Sequence, residues 1–341
     1  MGNLQSGYFD LSKLEFLENK AEPENIVKQG DFFFNTRNTL ELVGKGATWF
    51  GESNKYAFNS NIARFTLKDV NTGFFNYLYN TNYVKKQIRA RAMGTTSVAA
   101  IYPRSLKSVD IVIPNMEEQI KLSNLFMNLD STITLQQRKL NSLQKLKKGL
   151  LQKMFPKNGE NIPEIRFPEF SDAWKQRKFG EFVERKSDSA LSSTSIPSVE
   201  YENVESETGV LKKDIYVKTE FKKGVLFSDK DVLYGKLRPY LHNWLAPSFT
   251  GVAVGDWWVL SPKNCSKDFL YRLLQTLTFD EIANQTSGTK MPRADWNLVS
   301  STAFYIPSSI EEQAKIGSLF NRIDSTITLQ QRWLFYTHKQ S

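Results

Sequence analysis

Cysteine and histidine are nearly absent from this chain of 341 residues. It contains one cysteine, Cys265, and two histidines, His242 and His338. A single thiol cannot form a disulfide within one chain, and so few ligands cannot build a zinc site of the Cys/His type. The sequence therefore excludes an intrachain disulfide framework and predicts no metal site. It also indicates a reducing compartment, for which we expect the cytoplasm.

Long apolar runs are absent as well. No stretch approaches the ~20 apolar residues that a membrane-spanning helix needs, and the first residues lack the basic-then-apolar pattern of a secretion signal. We therefore expect no membrane partner. Met1, Gly2 and Ser6 match the bare N-myristoylation pattern, but a pattern this short is commonly matched by chance.

Motifs for catalysis are missing or weak. No glycine-rich loop ends in Gly-Lys-Ser or Gly-Lys-Thr, and no Asn-Pro-Pro-aromatic or Asp-Pro-Pro-aromatic run of the amino-methyltransferase type occurs. Two Glu-x-Lys triplets, at 184–186 and 220–222, follow Asp172 and Asp214. This arrangement fits a nuclease in which carboxylates hold Mg²⁺ and a lysine assists, although a chain rich in Glu and Lys produces such triplets by chance. A Mg-dependent DNA nuclease is therefore one alternative function.

Positive charge is in excess. The formal net charge is +9, while the hydrophobic content of 40% and the charged content of 24% are ordinary for a globular protein. A basic chain favours a polyanionic partner, most simply nucleic acid, and this length accommodates two domains. A stand-alone DNA-binding regulator is a second alternative function.

An internal repeat organises the chain. The run DSTITLQQR occurs at 130–138 and again at 324–332, and the EEQ that precedes it begins at 117 and at 311, so both move by 194 residues. A repeat of this length predicts two versions of one unit, each a globular part followed by a long helix.

The long helices are predicted from apolar residues at steps of three and four. Asn115 and Ser309 are predicted to cap them, with Glu118 and Glu312 three residues later. The apolar stripe predicts that the two helices pack side by side and antiparallel, and a polar residue on such a seam can fix its register. The residues predicted to pack are Leu122, Leu125, Phe126, Leu129, Ile133, Gln136, Leu140, Ile316, Leu319, Phe320, Ile323, Ile327 and Gln330.

The repeat and the turn signals divide the chain into four parts of an α/β (α+β) fold. These are a globular part at 1–113, a long helix at 114–156, a second globular part at 157–306 and a second helix at 307–341. Each globular part is expected to contain a short buried strand after Asp31 or Asp231, where the aspartate closes a turn. Each is also expected to contain one helix, over 74–90 and 269–283, and a strand before the long helix, over 109–113 in the first.

Polar and basic side chains stand at matching places in the two globular parts, after the buried strand and in the loop that follows the helix. Arg and Lys bind phosphates or the guanine edge, and Asn, Thr and Ser reach bases or phosphates. A surface salt bridge is the other interpretation of each. The candidate DNA contacts are Arg37, Asn38, Thr39, Thr95, Thr96 and Ser97, and Lys236, Arg238, Tyr240, Thr289, Lys290 and Arg293.

Several motifs in order carry a family resemblance. They are PEIRFPEF at 163–170, Trp174, QRKFG at 176–180, LQKMFP at 151–156 and the repeated helix sequence. Together they resemble the specificity subunit of a type I restriction–modification system. The resemblance implies two target-recognition domains alternating with two antiparallel spacer helices, each domain reading one half of a bipartite site on double-stranded DNA.

The resemblance also implies partners. They are methyltransferase (modification) subunits, which use S-adenosylmethionine, and motor-nuclease (restriction) subunits, which use ATP and Mg. No cofactor is expected in this chain, which has no catalytic role in the family. The first recognition domain lacks a counterpart of the section at 157–206, and nothing after Arg332 matches 142–156. We expect from this a truncated chain that needs a completing chain for activity.

Overall fold

The computed structural model describes residues 3–16, 21–95, 97–157, 159–212, 215–216, 220–285 and 291–340. The chain divides into two compact units, residues 1–135 and 136–341, here called the first and second unit. Both combine helices with sheets, in agreement with the α+β class. None of the helices in the described ranges is long and apolar enough to cross a membrane.

The first unit contains short strands followed by helices. Its strands are β1 (Phe32–Asn35), β2 (Arg37–Asn38), β3 (Gly46–Thr48), β4 (Ile62–Phe65), β5 (Met93–Gly94) and β6 (Ala99–Ala100). Its helices are α1 (Thr72–Tyr79), α2 (Asn82–Arg89), α3 (Pro103–Leu106) and the long α4 (Met116–Lys153), which continues into the second unit.

The second unit repeats this order with more strands in front. Its strands are β7 (Lys175–Lys178), β8 (Val183–Lys186), β9 (Ser189–Leu191), β10 (Ser198–Val199), β11 (Val204–Glu205), β12 (Val210–Leu211), β13 (Lys223–Phe227), β14 (Val232–Gly235), β15 (Trp244–Leu245), β16 (Gly251–Ala253), β17 (Trp257–Pro262) and β18 (Ala303–Ile306). Its helices are α5 (Phe179–Phe182), α6 (Lys267–Leu273), α7 (Leu277–Ala283), α8 (Trp296–Ser301) and α9 (Ile310–Gln340).

The two units share a central antiparallel sheet. Its order is β3-β1-β4 in the first unit and β15-β14-β17 in the second, where β8 adds a fourth strand. The expected common strand order is therefore confirmed for these three strands. The second unit has a further sheet, β10-β16-β13-β9. Its residues form one apolar core with the face of the central sheet that carries Leu233 and Val259, whereas the other face packs with the helices.

The predicted turn role of Asp31 and Asp231 is confirmed. Asp31 Oδ2 accepts from the backbone N of Lys28 at 2.9 Å, and Asp231 Oδ2 accepts from the backbone N of Ser228 at 2.7 Å. A basic side chain from another strand of the same sheet pairs with each aspartate, since Arg64 of β4 lies 3.1 Å from Asp31 and Lys186 of β8 lies 2.8 Å from Asp231.

The prediction of one helix over 74–90 and one over 269–283 was wrong. Each stretch forms two helices, α1 and α2 or α6 and α7. Thr81 and Thr276 each accept from the backbone N–H three positions on, at 3.3 Å, and so cap the second helix of each pair. A threonine at such a position competes with the continuing helix for the backbone donor.

The prediction of a strand over 109–113 was also wrong. Val112 is 86% exposed, and in the described part of the chain no strand pairs with this stretch. The equivalent position in the second unit is Ile306 of β18, which pairs with Lys175 of β7 and is 3% exposed. A strand needs a hydrogen-bonded neighbour, and β7 supplies it only in the second unit.

The predicted caps of the long helices are confirmed. Asn115 Oδ1 accepts from the N of Glu118 at 2.9 Å, and Ser309 Oγ accepts from the N of Glu312 at 3.3 Å. The Glu312 carboxylate, 1% exposed, pairs with both Nε and Nη2 of Arg166 and accepts from Trp174 Nε1 at 3.1 Å. Arg166 and Trp174 belong to the section at 157–206, so side chains of that section hold the first turn of α9 in place.

A buried glutamine holds each long helix to the first domain helix of its unit. Gln119 Oε1 accepts from the N of Asn71, the N-cap of α1, and its Nε2 donates to Pro114 O. Gln313 does the same with Ser266, the N-cap of α6, and with Pro307 O. Both glutamines are nearly inaccessible, so removing either leaves partly or fully buried backbone groups unpaired.

The same two helix contacts, α1 with α4 and α6 with α9, are too close for a side chain at one glycine each. A Cβ on Gly73 of α1 would lie 2.2 Å from Ser123 Oγ, and a Cβ on Gly317 of α9 would lie 2.4 Å from Asp268 Cβ. The small residue is on the domain helix in the first unit and on the long helix in the second. Each crossing therefore fits one glycine, supplied from opposite sides.

The predicted apolar stripe of α4 is only partly buried. Leu122 and Ile133 are half-buried and the Phe126 ring lies 5.0 Å from that of Tyr77, whereas Leu125 is 53% and Leu129 49% exposed. On a helix with 100° per residue, these two leucines lie roughly 80–120° around from Gln119, whose face packs on α1. The expectation that they are buried is therefore wrong in this structure.

The corresponding stripe of α9 is buried. Ile316, Phe320 and Ile323 belong to the main core of the second unit, and Leu319 and Ile327 pack against it. Leu150 and Leu151 at the C-terminal end of α4 also pack against that core, and Met154, directly after α4, belongs to it. The same sequence pattern is thus covered more completely in the second unit because a second helix contributes to its core.

Within the second unit, α4 and α9 run antiparallel. Gln330 Nε2 donates to Gln136 Oε1 at 2.5 Å, and Lys147 Nζ lies 2.7 Å from Asp324 Oδ1, so partners descend on α9 as positions rise on α4. Leu140 is also buried. The two glutamines that interrupt the predicted seam hydrogen-bond to each other, which is the pairing that can fix the register.

Asp324 is the centre of a partly buried charge network, with its own side chain 28% exposed. Its carboxylate accepts from Arg272 Nη1 at 2.6 Å and from Lys147 at 2.7 Å. Arg272 is 1% exposed, donates also to Asn321 Oδ1 at 2.6 Å, and lies over the Phe320 ring. Burial lowers the pKa of Lys147 and Asp324 opposes that shift, which makes the carboxylate the compensating charge for two cations.

We expect Asp324→Asn to destabilise the second unit by about 3–5 kcal/mol, because it leaves Arg272 and Lys147 without a counter-charge. Asp130→Asn is the matched control, since Asp130 holds the same place in the identical run but is exposed and accepts from Tyr77 Oη. Its effect should amount to about 1 kcal/mol or less. Urea unfolding of both variants measures the difference, and equal effects would contradict the role given to the network.

Asp231 gives a prediction about pH. Burial opposes its ionisation, but hydrogen bonds from Lys186 and Ser228 outweigh burial and hold the pKa of the carboxyl below its ordinary value of 3.8. A carboxyl whose pKa is lower in the folded state than in the unfolded state stabilises the fold at pH values above its unfolded-state pKa. This contribution disappears as the pH falls through the folded-state pKa.

Asp231→Asn should therefore cost about 1–3 kcal/mol at neutral pH, and the difference from wild type should shrink as the pH falls below 3.8. Asp229→Asn, at an exposed neighbouring position, serves as the control. Denaturant unfolding at a series of pH values measures both, and a difference that does not change with pH would rule out the ionised carboxyl as its source.

Candidate nucleic-acid interface

The first unit brings its candidate contacts together on a small sheet. In the order β2-β6-β5, Arg37 pairs with Ala100, Asn38 with Ala99, and Gly94 also with Ala99. The sheet places the exit of β1 beside the loop that begins after β5. The first loop cluster consists of Arg37, Asn38, Thr39, Thr95 and Ser97, while Thr96 lies outside the described residues.

Local hydrogen bonds shape this cluster. Thr95 N donates to Val98 O at 2.9 Å, and the Thr95 and Ser97 hydroxyls lie 3.1 Å apart, which folds the loop back on itself. Asn38 Oδ1 accepts from Thr39 N at 2.9 Å. Arg37, Thr39, Thr95 and Ser97 are all exposed, so their polar groups face solvent rather than the core.

The second unit brings the equivalent segments together in the same way. Leu237 forms an isolated bridge with Arg293, Ala294 N donates to Lys236 O at 2.8 Å, and Arg238 N donates to Pro292 O at 2.7 Å. The second loop cluster consists of Lys236, Arg238, Tyr240 and Arg293. Thr289 and Lys290 lie outside the described residues.

Charge in the second loop cluster is only partly compensated. Asp256 lies 3.8 Å from Lys236 and 3.2 Å from Arg293, so two cations share one carboxylate. Lys236 and Arg293 therefore do form surface salt bridges, which was the other interpretation of these residues. Because they share one carboxylate, one of their two positive charges stays uncompensated. Arg238 Nε is buried and has no hydrogen-bond partner among the described residues.

An unusual turn, which the sequence did not reveal, presents Tyr240. Arg238 and His242 flank the 3₁₀ turn Pro239–Leu241 and both have left-handed backbones, with φ of 47° and 53°. Such conformations cost energy in residues other than glycine and are held by surrounding contacts. The side chain of His242 makes such contacts, because its ring stacks on Trp244 and its Nε2 lies 2.9 Å from Asp280 Oδ1. Asp280 is 38 residues away, so no local pattern predicts this anchor.

The Glu-x-Lys triplets are engaged in other contacts. Glu184 pairs with Lys263 at 3.0 Å and Lys186 with Asp231 at 2.8 Å, while Lys222 pairs with Glu200 at 2.7 Å. Asp214 lies outside the described residues. In the described ranges no three His, Cys, Asp or Glu side chains form a group that could hold a metal ion.

Comparison with known proteins agrees with the repeat. The family model for the type I restriction modification DNA specificity domain matches residues 10–145 and 171–334. The chain is 27% identical over 157 residues to the putative type I restriction enzyme MjaX specificity subunit of Methanocaldococcus jannaschii. It is 21% identical over 277 residues to the type I restriction enzyme MjaVIII specificity subunit of the same organism.

These alignments cover 43% and 75% of this chain and 36% and 65% of the two relatives, so the chain spans about a third to two thirds of their length. A solved S subunit of a type I restriction-modification system from M. genitalium shares the fold at 14% identity. The TM-score is 0.58, over 97% of this chain and 89% of that one. The two family matches fall on the two repeated parts and together take in most of the sequence, and the chain therefore belongs to the family of type I restriction modification DNA specificity domains.

Proposed function

We propose that the chain recognises sequence on duplex DNA as the specificity subunit of a type I restriction–modification assembly. The observation that carries the proposal is the shared construction of the two loop clusters. In each unit, the end of the central buried strand lies beside the loop that follows the second helix, α2 or α7, and basic and polar side chains lie there. Each unit would read one half of a bipartite site.

The chemistry of the clusters fits both kinds of DNA contact. Arg37 and Arg238 can form two hydrogen bonds with a guanine edge or bind a phosphate, and Asn38 suits the adenine edge. The hydroxyls of Thr39, Thr95 and Ser97 suit phosphate oxygens. The net charge of +9 supports the same partner, because neutralising phosphates releases counterions and strengthens binding.

The catalytic steps are assigned to partner subunits. We propose methyltransferase subunits that use S-adenosylmethionine, and motor-nuclease subunits that use ATP and Mg, as the partners that this chain directs to DNA. Family membership and the names of the relatives, which are specificity subunits, support this assignment. The engagement of Glu184, Lys186 and Lys222 in ion pairs supports a recognition role over a nuclease role.

We expect Arg37→Ala and Arg238→Ala each to weaken duplex binding and to flatten its salt dependence. The slope of log affinity against log salt should fall by about 0.9 for each phosphate that the variant no longer neutralises. The measurement is fluorescence anisotropy with the chain bound to its methyltransferase subunit, on a duplex carrying the site that methylome sequencing identifies.

Lys121→Ala is the charge-matched control for this experiment. Lys121 is exposed, pairs with Glu117 on α4 and belongs to neither loop cluster, so its removal should leave the slope unchanged. Equal effects of all three substitutions would assign the salt dependence to net charge and not to the clusters. Binding that is indifferent to salt in every variant would sink the proposal.

A further inference from the structure

The start of α4 exposes a carboxylate whose counterpart in the second unit is covered. Gln119 and Gln313 hydrogen-bond in the same way to the N-caps of α1 and α6, so α4 and α9 turn the same side towards their domain helices. Glu118 and Glu312 precede these glutamines and therefore project in equivalent directions. Glu312 is buried, whereas Glu118 is exposed and its carboxylate has no hydrogen-bond or ion-pair partner among the described residues.

A lysine one turn later shows the same difference. Lys121 and Lys315 each pair with the glutamate four positions earlier on their own helix. Lys315 also lies 2.7 Å from Glu169 Oε1 and 5.2 Å from the centre of the Phe170 ring. Lys121 has no second carboxylate of this kind in the described ranges, and 73% of its side chain is exposed. A basic group is therefore available on the same face of α4 as Glu118.

The stretch before α4 has backbone groups that no other described segment pairs. Residues 109–113 lead into α4 as β18 leads into α9, and β18 pairs with β7 over four positions. Among the described residues, no hydrogen bond reaches the backbone of residues 111–113. Val112 and Ile113 are also exposed. Unpaired backbone groups next to exposed apolar side chains can take up an additional strand.

One segment of the second unit, residues 163–178, covers all three features there. Arg166 donates twice to the carboxylate of Glu312, and the indole of Trp174 donates to it once. The acidic and aromatic contacts of Lys315 come from the same segment, and so does β7. The second unit thus shows which chemistry fits this surface, namely an arginine, an acidic residue with an aromatic neighbour, a tryptophan and a short basic strand.

We propose that residues 111–113, Glu118 and Lys121, here called the open face, bind a segment of a separate polypeptide with this chemistry. Its arginine pairs with Glu118, its acidic residue with Lys121, and its basic strand with the backbone of residues 111–113. A bidentate arginine–carboxylate pair is among the stronger polar contacts, and strand pairing adds main-chain hydrogen bonds. No residue of the open face belongs to a loop cluster, so the proposal holds whether or not the chain reads DNA.

The partner is a polypeptide other than a second copy of this chain. The segment at 163–178 is already engaged in this chain, because Arg166 and Trp174 are largely buried and both bind Glu312. A second copy would have to break these contacts in its own second unit before it could offer them, which leaves buried polar groups unpaired. A separate polypeptide whose segment is free has no such cost.

The probe for this interaction is a fluorescein-labelled synthetic peptide with the sequence of residues 160–180. It is added to the full chain and followed by fluorescence anisotropy. We expect saturable binding of one peptide per chain. Peptides with Arg166→Ala or Trp174→Ala should each bind about tenfold more weakly, because each loses a hydrogen bond to a carboxylate, and a peptide of scrambled sequence should not bind.

Variants of the chain locate the contact. Glu118→Gln should weaken binding of the unaltered peptide about tenfold. In this variant Arg166→Ala in the peptide should cost little more, since the two substitutions remove the same contact. Glu52→Gln, at an exposed glutamate outside the open face, is the control and should bind as wild type. If Glu118→Gln does not fold, the peptide variants on the unaltered chain decide the question.

Hydrogen–deuterium exchange gives the position of the peptide independently. The amides of residues 111–113 should exchange more slowly when the peptide is present, because strand pairing gives them hydrogen-bond acceptors. The proposal is overturned by a lack of saturable binding, by additive losses for Glu118→Gln and Arg166→Ala, or by protection confined to residues 303–312. Self-association of the chain without peptide, with protection of residues 111–113, would assign the open face to a second copy and overturn it as well.

Discussion

Each unit depends on the packing of its first domain helix across the start of a long helix. Gln119 and Gln313 satisfy two backbone groups each at this crossing, one on the domain helix and one before the long helix. Both glutamines are buried, and the hydrogen bonds that they make to these backbone groups are partly or fully buried. The crossing fixes the direction in which each domain helix leaves, and the central sheet packs on that helix.

The repeated nine-residue run contributes differently to the stability of the two units. Asp130 and Asp324 belong to the same nine-residue run, but one is exposed beside Tyr77 and the other compensates Arg272 and Lys147. The difference comes from the partners on α1 and α6 and from the C-terminal part of α4, which joins the core of the second unit. The same nine-residue run thus provides an exposed contact in the first unit and the centre of a partly buried network in the second.

The two units also use one scaffold for different surfaces. Both place the end of the buried strand next to the loop after the second helix of the unit, α2 or α7, which supports a common role of these clusters in DNA recognition. On the opposite face of the sheet they diverge. A second sheet and Tyr201 cover that face in the second unit, whereas Leu4, Val27 and Trp49 pack with Phe33 on it in the first. The same three strands therefore support different cores.

The sequence by itself determined the repeat, the long helices with their caps, the turns at Asp31 and Asp231, and the places of the candidate DNA contacts. These features depend on residues within a few positions of one another, or on direct identity between copies. It did not determine whether 109–113 forms a strand or whether Leu125 and Leu129 are buried, because both depend on whether another segment packs against them.

Contacts between distant residues decided the rest. The shared carboxylate of Asp256, the anchor of His242 on Asp280 and the network at Asp324 join residues far apart in the chain, and their side chains are ordinary in their local sequence. Only the tertiary structure sets these features, because burial and partner geometry, and not residue type, determine what a polar side chain does.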